Sequence, residues 1–140
     1  MRLALLFVFF FLIIQPVSTQ VVSGAASDST EAIVLRPNFK ALYGTASYYA
    51  DKFNGRETAN GERYSHAKMT AACNRLPLNT WIRVTNLRNK RTVIVKVNDR
   101  LHPKNQRIVD LSHLAAEKLG YISYGLAQVK VEVLIRKDRD

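Results

Sequence analysis

In the segment LAQVKVEVLIRK, Leu126 to Lys137, β-branched residues recur at every second position: Val129, Val131, Val133 and Ile135 on one side, with Gln128, Lys130 and Glu132 on the other. Successive side chains of an extended strand point to opposite faces, so an apolar set alternating with a polar set predicts a strand with one face in a core. Two other segments repeat the pattern. TWIRVTN sets Ile82 and Val84 against Arg83 and Thr85, and RTVIVKVND sets Val93, Val95 and Val97 against Ile94 and Lys96. GTASYYA, from Gly44, and RIVDL, from Arg107, are shorter strand candidates. The convincing helix is SHLAAEKLG, in which Ser112 can cap the first turn and Gly120 can end the last in a left-handed conformation. The expected class is mostly β, with one or two short helices.

A lone cysteine, Cys73, excludes an internal disulfide, so such a sheet has to be held by burial alone. At 140 residues the chain is long enough for one core and too short for two ordinary ones. Its first residues are of another kind. Arg2 precedes an apolar run from Leu3 to Ile14, followed by Pro16 and the stretch Val17-Ser18-Thr19. This is the layout of a secretory signal peptide, and the run is shorter than the roughly 20 residues of a membrane-spanning helix. Residues 1–19 are expected to be a cleaved signal, with no stable membrane insertion afterwards. No cysteine stands beside the end of the run to carry a lipid. The expected destination is the periplasm or cell envelope, without a lipid anchor. QVVSGAASDSTEAIVLRPN, from Gln20, has no sustained period, so residues 20–39 read as a linker or N-terminal arm and 40–137 as the domain.

The formal net charge is +10, a field that favours an anionic partner or simply keeps the chain soluble. Export places nucleic acid last among such partners, behind acidic polysaccharide and membrane surface. Asn98-Asp99-Arg100 stands where the Val93 to Val97 alternation stops. A carboxylate there is either an acid or base held by a rigid strand end, or a turn residue bonded to nearby backbone amides. The segment TANGERYSHAKMTAACN, Thr58 to Asn74, concentrates Glu62, Tyr64, His66 and Cys73 after a tight-turn signal at Ala59-Asn60-Gly61. The spacings of His66, Cys73, His102 and His113 match no compact zinc pattern, and Cys73 has no identifiable base to activate it. Neither a metal nor a cofactor is expected. Tyr48, Tyr49, Tyr64 and Trp81 are open to two readings, as platforms for the apolar face of a sugar or as core.

Taken together, GTASYYADKFNGRETANGERYSHAKMTAACNRLPLNTWIRVTNLRNKRTVIVKVNDR, RIVDLSHLAAEKLGY and VKVEVL resemble, in order and spacing, the rare lipoprotein A (RlpA) family of septal-ring lytic transglycosylases. The resemblance implies a six-stranded double-psi β-barrel. It also implies peptidoglycan glycan strands, preferably lacking stem peptides, as substrate, cut endolytically at MurNAc-GlcNAc bonds to leave 1,6-anhydro-MurNAc ends. Asp99 falls on the family's catalytic acid, and Glu62 on a second acidic position of the site. Tyr48, Tyr64, Ser65, Cys73, Arg100 and Asp110 are expected along the substrate. Three places depart from the usual pattern: Ser65 replaces Asp, Cys73 replaces His, and Leu101-His102 replaces Gly-Pro. Those departures give the alternative, a non-catalytic expansin-like module that binds glycan.

Overall fold

The structure, a computed structural model, describes residues 33–136. The signal expected over 1–19, and residues 20–32 of the expected arm, lie outside the described residues. The described strands are β1 (Ile33–Leu35), β2 (Leu42–Tyr48), β3 (Thr70–Ala72), β4 (Trp81–Asn86), β5 (Thr92–Asp99), β6 (Val109–Leu111) and β7 (Ala127–Arg136). One α-helix, α1 (His113–Leu119), and two short 3-10 turns, Asp51–Phe53 and Ile122–Tyr124, complete the elements.

Six strands form a closed ring, β7-β2-β6-β3-β5-β4, with β4 returning to β7. The β2–β6 and β3–β5 pairs are parallel and the others antiparallel, which makes a mixed barrel. β1, the described part of the expected arm, stands outside the ring. It pairs with the end of β7, taking Leu134 to Arg136 on the edge that β2 occupies from Ala127 to Val131.

The alternation seen in the sequence sorts residues as expected over most of the barrel. Ile82, Val84, Val95, Val97 and Val129 are fully buried, and Ile94 is exposed. The exception is the end of β7, where Ile135, expected on the inner side, is exposed and Leu134 is buried. The barrel interior ends at Val133, and Leu134 is covered from both sides by its register partners Leu35 and Trp81. β3 carries no alternation, because all three of its residues are buried.

Helix α1 lies against β5 and β2 with Ala115, Ala116 and Leu119 inward. Ser112 Oγ accepts a hydrogen bond from Ala115 N, and Gly120 takes φ +77° at the other end. The carbonyl of Leu119, left without a partner by the helix end, accepts from the side-chain amides of Asn86 and Asn89 at 3.0 and 2.8 Å. These bonds fasten the β4–β5 turn to the helix.

At Gly44, where β2 pairs with Val129 of β7, the chain passes close to Ile108, the residue before β6. A Cβ at that position would sit 2.6 Å from Cγ2 of Ile108, a buried β-branched side chain with little rotamer freedom to retreat. Gly44→Ala is therefore expected to cost about 1–3 kcal/mol through overpacking. Each kcal/mol lowers the melting temperature of a domain this size by roughly 4–8 °C, measurable by circular dichroism. An unchanged melting temperature would show that Ile108 yields freely.

Candidate active site

β5 runs through the core and delivers Asp99 at the barrel rim, directly after the buried Val97 and Asn98. The Asp99 carboxylate accepts three hydrogen bonds. Oδ1 takes the backbone N–H groups of Ala59 at 3.0 Å and Arg100 at 2.8 Å, and Oδ2 takes the Tyr49 hydroxyl at 2.6 Å. The turn reading of the strand-end aspartate holds for one oxygen, which is fixed by backbone amides, and the residue also lines open space. On one side is a groove of about 520 Å³ bordered by Tyr48, Tyr49, Phe53, Arg100 and Arg107. On the other is a hollow of about 180 Å³ bordered by Arg56, Glu57, Thr58 and Tyr64. A further hollow of about 490 Å³, beside Arg88, Tyr124 and Leu126, has no carboxylate in its wall and adjoins the end of the barrel where β5 begins.

The segment between β2 and β3 reaches the rim because it folds back on itself. Glu57 and Arg63 form an antiparallel bridge, with Gly61 at φ +88° in the turn between them. Thr58 N donates to the Glu62 carbonyl at 2.7 Å, and Asn60 N reaches across to the Asn98 carbonyl at 3.1 Å. The same turn therefore supplies the Ala59 amide that holds Asp99.

Glu62 is held differently. Its Oε1 accepts from Lys96 Nζ and from Asn60 Nδ2, and its Oε2 from Asn98 Nδ2. The Lys96 ammonium, followed by the Asn98 amide, lowers the Glu62 pKa to about 2. Glu62 is thus a fixed anion with its oxygens in use, suited to anchoring the turn and not to donating a proton. Asp110 is likewise paired, receiving both Nε and Nη2 of Arg107 at 2.7 and 2.9 Å. Asp99 differs from both in that its three bonded partners are neutral donors.

The remaining expected residues divide. Tyr48 lines the groove with its ring, and its hydroxyl donates to the Ile122 carbonyl. Arg100 lines the groove too, but its Nη1 is bonded to the carbonyls of Cys73 and Leu76, so it also ties a loop. Tyr64 is only 2 % exposed; the ring of Tyr49 stacks on it at 4.0 Å and 15°, which removes it as a sugar platform. Cys73, expected along the substrate, is a core residue at 1 % exposure. Ser65 accepts from Ala67 N within its own loop and borders neither hollow beside Asp99. Trp81 stands on the outer face of β4, in register with Lys96 and Leu134. Tyr49, open in the sequence to a sugar-platform or a core reading, is instead bonded to Asp99; Phe53, Lys96 and Arg107 are residues of the candidate site that spacing did not single out. Lys96 carried a signal only as the polar member of an otherwise apolar β5 alternation.

Because the folded-state pKa of Glu62, about 2, lies below its ordinary value of 4.5, ionised Glu62 stabilises the fold above the ordinary value. That contribution is lost as pH falls from about 4.5 to about 2. Denaturant midpoints across this window are expected to fall less steeply for Glu62→Gln than for wild type. Equal slopes would show that the Lys96 pair contributes nothing, as happens for many exposed pairs.

The family described as lytic transglycolase matches residues 42–131. Among curated relatives, the chain is 55 % identical over 91 residues to the endolytic peptidoglycan transglycosylase RlpA of Pseudomonas aeruginosa (strain UCBPP-PA14), covering 65 % of this chain and 27 % of the relative. It is 50 % identical over 91 residues to that of Haemophilus influenzae, covering 65 % and 32 %. The chain thus spans about a quarter to a third of the length of these relatives. Among solved structures, a Streptomyces papain inhibitor superposes with TM-score 0.56 at 24 % identity over 71 % of this chain and 98 % of the inhibitor. A mutant Clavibacter michiganensis expansin in complex with cellohexaose superposes with TM-score 0.55 at 19 % identity, covering 72 % and 53 %. The two structures share the fold. The order and spacing of the matched segments and the closed six-stranded ring agree with these matches: the chain belongs to the lytic transglycolase family, and its domain is an RlpA-like double-psi β-barrel.

Proposed function

We propose that the protein is an endolytic peptidoglycan lytic transglycosylase, exported to the periplasm or cell envelope after removal of residues 1–19. Its substrate is the glycan strand, preferably lacking stem peptides, cut at MurNAc-GlcNAc bonds to leave 1,6-anhydro-MurNAc ends. The observation that carries this reading is Asp99: a carboxyl group on a rigid strand end, open to a groove, bonded only to neutral donors. Glu62 and Asp110, by contrast, are each tied to a cation.

A lytic transglycosylase needs one group that gives a proton and takes another back. Asp99 protonates the glycosidic oxygen, and the bond electrons leave with that oxygen while the sugar acquires oxocarbenium character. The ionised Asp99 then removes the proton of the sugar's own C6 hydroxyl as that oxygen closes onto C1. No water is consumed. Glu62, neutralised by Lys96, serves this step by holding the turn whose Ala59 amide orients Asp99.

Recognition of the strand draws on aromatic and cationic groups beside Asp99. Phe53 borders both hollows, with Lys52 and Arg56 over its ring at 5.2 and 5.3 Å. These cations suit muramyl carboxylates. Binding to peptide-free glycan strands, followed by sedimentation, is expected to weaken as salt is raised and the screening length contracts from about 8 Å at physiological ionic strength. Binding that ignores salt would assign the affinity to aromatic stacking instead.

The decisive assay is release of 1,6-anhydromuramyl products from purified, peptide-free glycan strands. Asp99→Asn keeps shape but cannot cycle a proton, so release is expected to fall by about 100-fold or more, with Glu62→Gln costing less. The expansin-like alternative, favoured by the burial of Cys73 and the neutralised Glu62, predicts no anhydro product from the wild type and altered binding alone in the variants.

A further inference from the structure

We propose that Tyr49 is a positioning residue for Asp99: its hydroxyl stays on Oδ2 through the proton cycle and stabilises the carboxylate charge that appears there as the proton leaves. The inference rests on the lytic reading above and assigns a role that neither spacing nor the family match supplies.

The geometry separates the two carboxyl oxygens. Oδ1 faces two backbone N–H donors, from Ala59 and Arg100. A proton on Oδ1 would point at groups that have only hydrogens to offer, so the acid form carries its proton on Oδ2. The bonded partner of Oδ2 is the Tyr49 hydroxyl, a group able to donate or accept. Before proton transfer the phenol oxygen can accept from the carboxyl or leave its O–H free to turn. When the proton has passed from Oδ2 to the glycosidic oxygen, the phenol donates to the new carboxylate, and a hydrogen bond to an ionised acceptor is the stronger kind. A donor aimed at charge that forms during reaction lowers the barrier, because it is placed before the reaction begins. The second lone pair of Oδ2 remains for the substrate.

The rest of the surroundings fix where that hydroxyl can be. Tyr49 N donates to the Leu111 carbonyl at 3.0 Å, which anchors the backbone just past β2. The ring is clamped between Tyr64, stacked at 4.0 Å, and Phe53, edge-on at 5.9 Å. Tyr64 is itself immobilised, since its hydroxyl accepts from His113 N at 3.2 Å and bonds His66 Nδ1 at 2.7 Å. The buried Tyr64 is thus a bed for Tyr49, which gives a reason for an aromatic residue there that is too covered to meet a sugar. Burial, and then the neighbouring Asp99 carboxylate, push the Tyr49 phenol far above its ordinary value, so it keeps its proton and remains available to donate.

The test is Tyr49→Phe, which keeps the ring and its stack and removes only the hydroxyl. On peptide-free glycan strands, kcat is expected to fall by about 100-fold, the effect of deleting one donor from developing charge, with KM unchanged. The variant's limb of the pH profile that belongs to Asp99 is expected to move to higher pH, because the ionised carboxylate loses a donor. Glu57, Asp110, His102, Lys52, Arg56, Arg100 and Arg107 also face these hollows, so the shift is read as the difference between the two proteins. The same coupling is measured without turnover: the Asp99 carboxyl carbon, followed by NMR, should titrate at higher pH in Tyr49→Phe. A wild type that forms no anhydro product would overturn the lytic reading and the role with it. An active wild type matched by Tyr49→Phe in kcat and in carboxyl titration would overturn the role alone. A variant with raised KM, unchanged kcat and an unmoved titration would make Tyr49 a substrate contact and also overturn it.

Discussion

Everything at the rim depends on β7 being hydrogen-bonded along both edges. It pairs with β4 from Val129 to Leu134 and with β2 from Ala127 to Val131, and that double pairing is what turns a mixed sheet into a closed barrel. An open sheet of this order would leave two edges exposed, whereas closure removes them from the ring and buries Val129 and Val131 on the inside. With a single cysteine, itself buried, no covalent cross-link holds the barrel. Closure and burial together do so.

Closure also fixes where β5 ends. Val93, Val95 and Val97 are buried, the first two paired with β4 and the third with β3, so the position of Asp99 is set by the core and not by the loop that follows. The pairing with β3 shifts register between Ala71 and Ala72, bringing Ala72 opposite Asp99. An irregularity of this kind adds local twist and re-aims the side chains beside it. The turn from Thr58 to Glu62 is then locked on from outside, through Ala59 to Asp99, Asn60 to Asn98, and Glu62 to Lys96. Three contacts to one strand make turn and strand end a single unit.

The barrel strands were legible because their chemistry is periodic. Each of β4, β5 and most of β7 has an inner face and an outer face, and hydrophobicity reports that difference directly. β3 was not legible, because a three-residue strand buried on both sides has no polar set to alternate with, and Ile135 was misassigned because period alone does not say where an interior ends. Of the candidate site, only the strand end was readable: Asp99 stands where a valine alternation stops, a place that suits a turn residue as well as an acid or base. Cys73 and Tyr64 were expected along the substrate from the resemblance, yet the fold turns them inward, and a polar, turn-rich segment gives no period from which to infer that. Lys96 and Arg107 were hidden for another reason: their importance lies in which carboxylate each one meets, a relation made by strand pairing and turn geometry.

Those two cations bear on the chemistry more than their anonymity in the sequence suggests. A rim with Glu62, Asp99 and Asp110 near one groove, all unpaired, would repel an anionic polysaccharide and set the carboxylates against one another. Pairing Glu62 with Lys96 and Asp110 with Arg107 removes both charges from the groove's net field, while Lys52 and Arg56 beside Phe53 tilt the balance positive. What remains on the groove itself is one carboxyl group with neutral partners, while Glu62 and Asp110 are each held by a cation. The loss of the family's usual polar residues at Ser65 and Cys73 weighs less in this arrangement, since neither position borders the hollows around Asp99. The residues that do touch its carboxylate, Tyr49, Ala59 and Arg100, contribute a phenol and two backbone amides, and the amides are insensitive to side-chain replacement as long as the turn keeps its shape.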